Sequence, residues 1–155
     1  MAGSHDSDDR PTPEQVGAHM YASDRASQAL GMKIVALGAG TATLEMAVRD
    51  DMLNGHAICH GGFITTLADS AFAFACNSRN QLTVAALDLL QEIDRQPGGD
   101  VLTAVAVEVS RSGRTGVYDM VVTNRAGERV ALVRGRSATL TGRTVVPVAL
   151  NEEAP

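Results

Sequence analysis

In "TATLEMAV" (41–48), apolar Leu44, Met46 and Val48 alternate with Glu45 and Ala47, the period-two pattern of a strand with one buried face. The preceding "MKIVALG" reads as a second strand, with Gly38-Ala39-Gly40 as a tight turn between the two. Upstream, "TPEQ" marks a helix start: Thr12 is placed as N-cap, Pro13 fills the first helical position and Gln15 completes a capping box. This helix is expected to run to about Leu30 and to stop at Gly31. Strand patterns return after Gln81 in "LTVAALDLLQ", "DVLTAVAVEVS", "TGVYDMVVTN" and "RVALVRGRSATL". The turns "SRSGRT" and "NRAGER" each carry a glycine where a hairpin wants one.

Between the two strand groups lies "HGGFITTLADSAFAFACNS" (60–78), following the loop "RDDMLNGHAICHGG". At about 100° per residue, Thr65, Thr66, Asp69, Ser70, Ala73, Cys76 and Asn77 share one side of a helix, and Phe63, Ile64, Leu67, Ala68, Ala71, Phe72 and Ala75 fill most of the rest. Such a helix is buried nearly all round, with a narrow stripe of small and polar side chains left for a substrate or a symmetry-related helix. One long central helix between a pair of strands and a meander of about four, with no regular helix–strand alternation, implies an α+β fold with an antiparallel sheet and an additional N-terminal helix. The expected layout is a tail at 1–12, a single domain at 13–142 and a tail at 143–155.

Composition narrows the setting. A chain of 155 residues with 45% hydrophobic and 20% charged residues is large enough to bury a core without disulfides or metal. A net charge of -5 argues against a nucleic-acid footprint or a polybasic membrane patch. Two cysteines, Cys59 and Cys76, are too few for a disulfide framework and suit a reducing compartment. The opening "MAGSHDSDDRPTPEQ" lacks the order of a signal peptide, and 57–76 is too polar for a membrane span. A cytoplasmic protein is expected.

Asp69 is the one carboxylate in 60–78. A mid-helix acid is ordinarily structural, bonded here to Thr65, Thr66 or the backbone. Two neighbours favour chemistry instead. Gly61 and Gly62 open the helix, where unsatisfied amides and the positive end of the helix dipole can hold a developing oxyanion. Asn54, His56 and His60 stand on the preceding loop as hydrogen-bonding groups. Gly61 and Asp69 are eight residues apart, roughly 12 Å along a helix, too far for one carbonyl to touch both. Cooperation between them requires a two-fold dimer in which the amide of one chain faces the acid of the other. A metal site from His56, Cys59, His60 and Cys76 is the competing use of this cluster, but the paired spacings of structural zinc sites are missing.

The segment "NGHAICHGGFITTLADSAFAFACNS", continued by "GRTGVYDMVVTN" and "VALVRGRS", resembles the PaaI-type phenylacetate-degradation thioesterases of the hotdog-fold acyl-CoA thioesterase superfamily, from about Met32 to Leu140. The resemblance implies a sheet wrapped around the long helix, two subunits forming a continuous sheet with shared active sites, and a homotetramer built as a dimer of dimers. It implies hydrolysis of (hydroxy)phenylacetyl-CoA-type thioesters without a cofactor or metal, coenzyme A being part of the substrate. Carried over residue by residue, the helix acid falls on Asp69, the oxyanion amide on Gly61 and the loop Asn on Asn54, with His60 supporting the loop or the thioester. Gly62, Thr66 and Ser70 line the substrate side, Ser70 as a water-positioning hydroxyl, and Arg111, Arg114, Arg134 and Arg136 are the candidates for coenzyme phosphates.

One departure concerns "LDLLQEIDRQPGGD", which keeps Asp88 and Gly99-Asp100 of the family's post-helix strand but replaces its Arg-Pro and inserts about three residues near 91–97. The alternatives of another class are a non-catalytic acyl-CoA-binding hotdog protein and a hotdog hydratase or dehydratase. No nucleic-acid or membrane partner is expected.

Overall fold

The computed structural model describes residues 10–88 and 98–147. The chain forms α1 (Pro13–Ser23), α2 (Arg25–Ala29), β1 (Lys33–Gly38), β2 (Thr41–Ala47), a 3₁₀ turn at Asp50–Met52, α3 (Gly61–Asn77), β3 (Thr83–Asp88), β4 (Val101–Ser112), β5 (Thr115–Thr123) and β6 (Arg129–Thr139). The six strands make one antiparallel sheet in the order β1-β2-β4-β5-β6-β3. It curls around α3, which packs against all six strands.

Strand periodicity places the core. In β2, Ala42, Leu44 and Met46 point inward, and register sets them against Ala106, Ala104 and Leu102 of β4. Tyr118, Met120 and Val122 of β5 and Val133 of β6 continue the same face. Ile64, Leu67, Ala68, Ala71, Phe72, Phe74 and Ala75 of α3 fill the space they enclose. Burying a side chain such as Leu67 or Phe72 contributes roughly 1.5–3 kcal/mol each, which makes α3 the principal anchor of the sheet. Helix and sheet pack tightly at Gly135, where an added Cβ would lie 2.5 Å from Phe72 Cε1.

The N-terminal helix differs from the sequence expectation. Its capping box forms as read, Gln15 N donating to Thr12 Oγ1 and Thr12 N to Gln15 Oε1. The helix nevertheless ends at Ser23, because Asp24 leaves helical angles (φ -82°, ψ 82°) and caps a second short helix, accepting from Ser27 N at 2.9 Å. A strong N-cap residue competes with helix continuation by offering the following amides a partner. Gly31 then turns the chain with φ +67°.

At the far end of α3, Asn77 joins the helix to β3, its Oδ1 accepting from Thr83 N. Cys76 lies within 2.9 Å of Thr83 Oγ1. Both Cys76 and Asn77 are therefore buried, although the helical wheel assigns them to the open stripe. The chain after β6 returns past this junction, with Leu82 pairing to Leu140 and Arg143 and Asn80 to Val146. The replaced and inserted segment at 89–97 lies outside the described residues. Among the described residues, no helix is long and apolar enough to cross a membrane.

Candidate active site

The site begins with the loop that delivers the chain to α3. Asn54 organises it: its Oδ1 accepts from His56 N (2.9 Å) and Ile58 N (3.4 Å), and its own amide donates to Ile58 O. Leu53 and Cys59 bridge across the loop, and His60 N reaches Met52 O, so the loop closes as a compact unit under the helix start. His56 is exposed.

His60 is the N-cap of α3, with extended angles (φ -62°, ψ 132°). Its Nδ1 accepts from Gly62 N at 3.0 Å and its carbonyl accepts from Phe63 N at 2.9 Å. An imidazole whose Nδ1 accepts carries its hydrogen on Nε2, which leaves a donor on the open side of the loop. Of the first three amides of the helix, the cap thus claims the second and third. The Gly61 amide has no partner among the described residues and sits where the helix dipole is positive.

Asp69 lies a little over two turns further along, on the exposed side of α3. Its carboxylate makes no hydrogen bond or ion pair among the described residues, so neither Thr65, Thr66 nor the backbone holds it as a structural acid would be held. Thr65 and Thr66 instead donate to the carbonyls of Gly61 and Gly62, each at 2.8 Å. Burial against the helix surface pushes the Asp69 carboxyl above the ordinary carboxylate range. Ser70 is half-buried, 3.0 Å from Ser27 Oγ.

The structure therefore brings Asn54, His60, Gly61 and Gly62 together at the helix start and sets Asp69, Thr66 and Ser70 along the uncovered stripe, without joining Gly61 and Asp69 within one chain. The arginines divide. Arg111 donates to Gln81, and Arg114 to Thr141 Oγ1 at 3.1 Å, at one end of the sheet beside a groove of about 400 Å³ that Arg143 also lines. Arg134 is held by Asp119 through two bonds of 2.6 and 2.7 Å, which hold the Asp119 carboxyl below its usual range. Arg136 is exposed on β6, opposite Ala86 of β3 and Val117 of β5. Among the described residues no three His, Cys, Asp or Glu side chains gather as metal ligands would.

Two groups escape the sequence reading. Asp24 and Ser27 reach Ser70 across 43 residues of chain, and only the "SD" N-cap signal at 23–24 hints at them. Arg79, Glu108 and Tyr118 form a network at the other end of α3, Glu108 accepting from Arg79 (2.8 and 3.1 Å) and from Tyr118 Oη (2.6 Å). Burial opposes the Glu108 charge, but these donors outweigh it and hold its carboxyl below the usual range.

No protein-family model matches the chain. The acyl-coenzyme A thioesterase PaaI of Escherichia coli (strain K12) is 42% identical over 123 residues, 79% of this chain and 88% of that protein. A putative esterase of Archaeoglobus fulgidus is 37% identical over 122 residues, 79% of each protein. The solved structure of the E. coli PaaI protein from the phenylacetic acid degradation operon superimposes with a TM-score of 0.78 at 39% identity, covering 85% of this chain and 95% of that one. With a curled six-stranded antiparallel sheet around a long helix, and identity of this extent over most of its length, the chain belongs to the PaaI family of hotdog-fold acyl-CoA thioesterases.

Proposed function

We propose that this enzyme hydrolyses phenylacetyl-CoA-type thioesters, with or without a ring hydroxyl, to the free acid and coenzyme A, in active sites shared between two subunits in the cytoplasm. The observation that carries the reading is the pairing of two unsatisfied groups on α3: an unclaimed amide at Gly61 and an unpartnered acid at Asp69. Neither residue is buried in the core, so both are open to a substrate, and together they supply the donor and the base that acyl transfer needs.

The thioester oxygen accepts from Gly61 N–H at the positive end of the helix, and charge developing there in the tetrahedral state strengthens that bond. Asp69 of the partner subunit removes a proton from water or attacks the carbonyl itself. His60 sets the helix start and turns its Nε2–H outward toward the thioester, while Asn54 holds the loop in register. The thiolate leaves unaided, so neither a metal nor a cofactor is invoked. Arg111 and Arg114 are the better placed phosphate ligands, because Arg134 already has its charge matched by Asp119.

Two surfaces support the assembly. Among the described residues β3 pairs only with β6, so its outer edge offers a hydrogen-bonding ladder beside α3, suited to an antiparallel copy across a two-fold axis. On the outer face of the sheet, Val35, Val105, Val107 and Val109 are exposed, which suits a second dimer and hence a homotetramer. A panel of acyl-CoA thioesters assayed for coenzyme A release with a thiol reagent tests the function. The highest kcat/KM is expected for phenylacetyl or hydroxyphenylacetyl groups. Tight binding without release would replace the enzyme with a binding protein.

A further inference from the structure

Ser70 follows the acid in sequence, and its hydroxyl is not left to rotate. It lies 3.0 Å from the Oγ of Ser27, a residue only 1% exposed, and Ser27 Oγ donates at 2.6 Å to Asp24 Oδ2. The other oxygen of Asp24 accepts from Ser27 N at 2.9 Å, so the carboxylate is fixed by two bonds to one residue. A serine hydroxyl has one hydrogen. Ser27 gives its hydrogen to Asp24 and can only accept from Ser70, so Ser70 gives its hydrogen to Ser27. Toward the stripe that carries Asp69, Ser70 therefore presents lone pairs and no donor.

We propose that Asp24 and Ser27 are positioning residues for hydrolysis, which fix Ser70 as a hydrogen-bond acceptor so that the attacking water is held by its hydrogens and keeps a lone pair for the thioester carbonyl. The proposal rests on the assignment of Asp69 as the acid of the site. A water between Asp69 and Ser70 donates one hydrogen to each, and its nucleophilic electrons stay free. A donating Ser70 would take one of the water's two lone pairs and leave one of its hydrogens unheld, so the water would be less well fixed and less nucleophilic. As Asp69 takes the water's proton, the oxygen bonds to the carbonyl carbon and the C–S bond breaks, with the electron pair leaving on sulfur.

The decisive variant is Asp24→Asn. Its amide oxygen can still accept from Ser27 N, and this cap sets the NH2 group against Ser27 Oγ. That group only donates, so Ser27 must accept, its hydrogen turns to Ser70, and the hydrogen of Ser70 turns outward. The chain of bonds is kept and its direction reversed. The expected result is a kcat lower by about tenfold, part of the roughly 10²–10⁴-fold a positioned proton acceptor supplies, with KM changed less than about twofold and an unchanged melting temperature. Placed in a Ser70→Ala background, Asp24→Asn should lower kcat no further. An unchanged kcat in Asp24→Asn, or a loss that persists when Ser70 is absent, overturns the relay. Asp69→Asn, measured alongside, separates the two claims: if it is inactive while Asp24→Asn is normal, the relay alone fails, and if it is active the site assignment fails and the relay with it.

Discussion

The separation of Gly61 from Asp69 gives a test that needs no structure of the complex. Eight residues of helix put them roughly 12 Å apart, whereas an oxyanion donor and a base acting on one carbonyl must both come within about 3 Å of the reacting group. If the two act on one carbonyl, as proposed, they come from different subunits. Gly61→Pro deletes one amide at a position suited to it: Gly61 is the first helical residue, where proline is favoured, and His60 already has the extended angles that a residue before proline requires. Asp69→Asn deletes the base. Each variant alone should be inactive. If equal amounts are unfolded together and refolded, half the dimers are mixed, and each mixed dimer regains one of its two sites, from the Gly61 of the Asn variant and the Asp69 of the Pro variant. About a quarter of wild-type turnover should return. Coenzyme A release measured before and after mixing reads this directly, with size-exclusion chromatography and melting temperatures to establish that both parents are folded and oligomeric. If both parents are intact and the mixture stays as inactive as they are, the shared site is wrong.

Asp69→Asn should cost at least about 10²-fold in kcat without loss of stability, because no bond is broken. Burial raises the folded-state pKa of Asp69 above its unfolded value, so the acid favours folding only in its neutral form, and that advantage is lost as pH rises through the folded pKa. The variant should therefore melt slightly higher than wild type at neutral pH, with the gap closing below the ordinary Asp range, and wild-type kcat should fall on acidification with an apparent pKa above 3.8. A variant that melts well below wild type at neutral pH would assign Asp69 a structural role. Gly135→Ala would push a methyl to 2.5 Å from Phe72 Cε1 and 2.9 Å from two further ring carbons. Overpacking of this kind costs about 1–3 kcal/mol, visible as a lower thermal midpoint, and Phe72→Leu in the same chain should recover part of it.

What could be read from sequence was what depends on neighbours close along the chain. The strand β2 follows from alternation, and β1, β4, β5 and β6 from strand-forming runs bounded by turns with a Gly at φ +80° (Gly40), +56° (Gly113) and +79° (Gly127). The helix α3 follows from an apolar surface too wide for anything but a central position. The candidate residues at its start, His60, Gly61 and Gly62, could be placed at one loop–helix junction because they are consecutive; that His60 caps the helix could not. What failed depended on register and tertiary cover. Nothing local says that Asn77 will be claimed by Thr83, which buries the end of the stripe, or that Arg134 will meet Asp119 across two strands. The break at Asp24 had a local signal, but its weight depends on Ser27 being buried against α3, and the contact with Ser70 has no trace in periodicity at all.

The polar groups of α3 differ in a way that separates structure from chemistry. Thr65, Thr66, Cys76 and Asn77 are all bonded to the helix's own carbonyls or to the start of β3. Asp69 is not, although two threonines lie within one turn of it, and bonds from them would favour its charged form and lower its pKa. A base tied up in that way would be a weaker proton acceptor and could not reach a substrate without breaking its bonds first. Partial burial without partners does the opposite, raising proton affinity while leaving the lone pairs free. The cost falls on the stability of the ionised chain, and in the proposed dimer the lone pairs left free by that cost are the ones that meet the substrate held at the Gly61 amide of the second subunit.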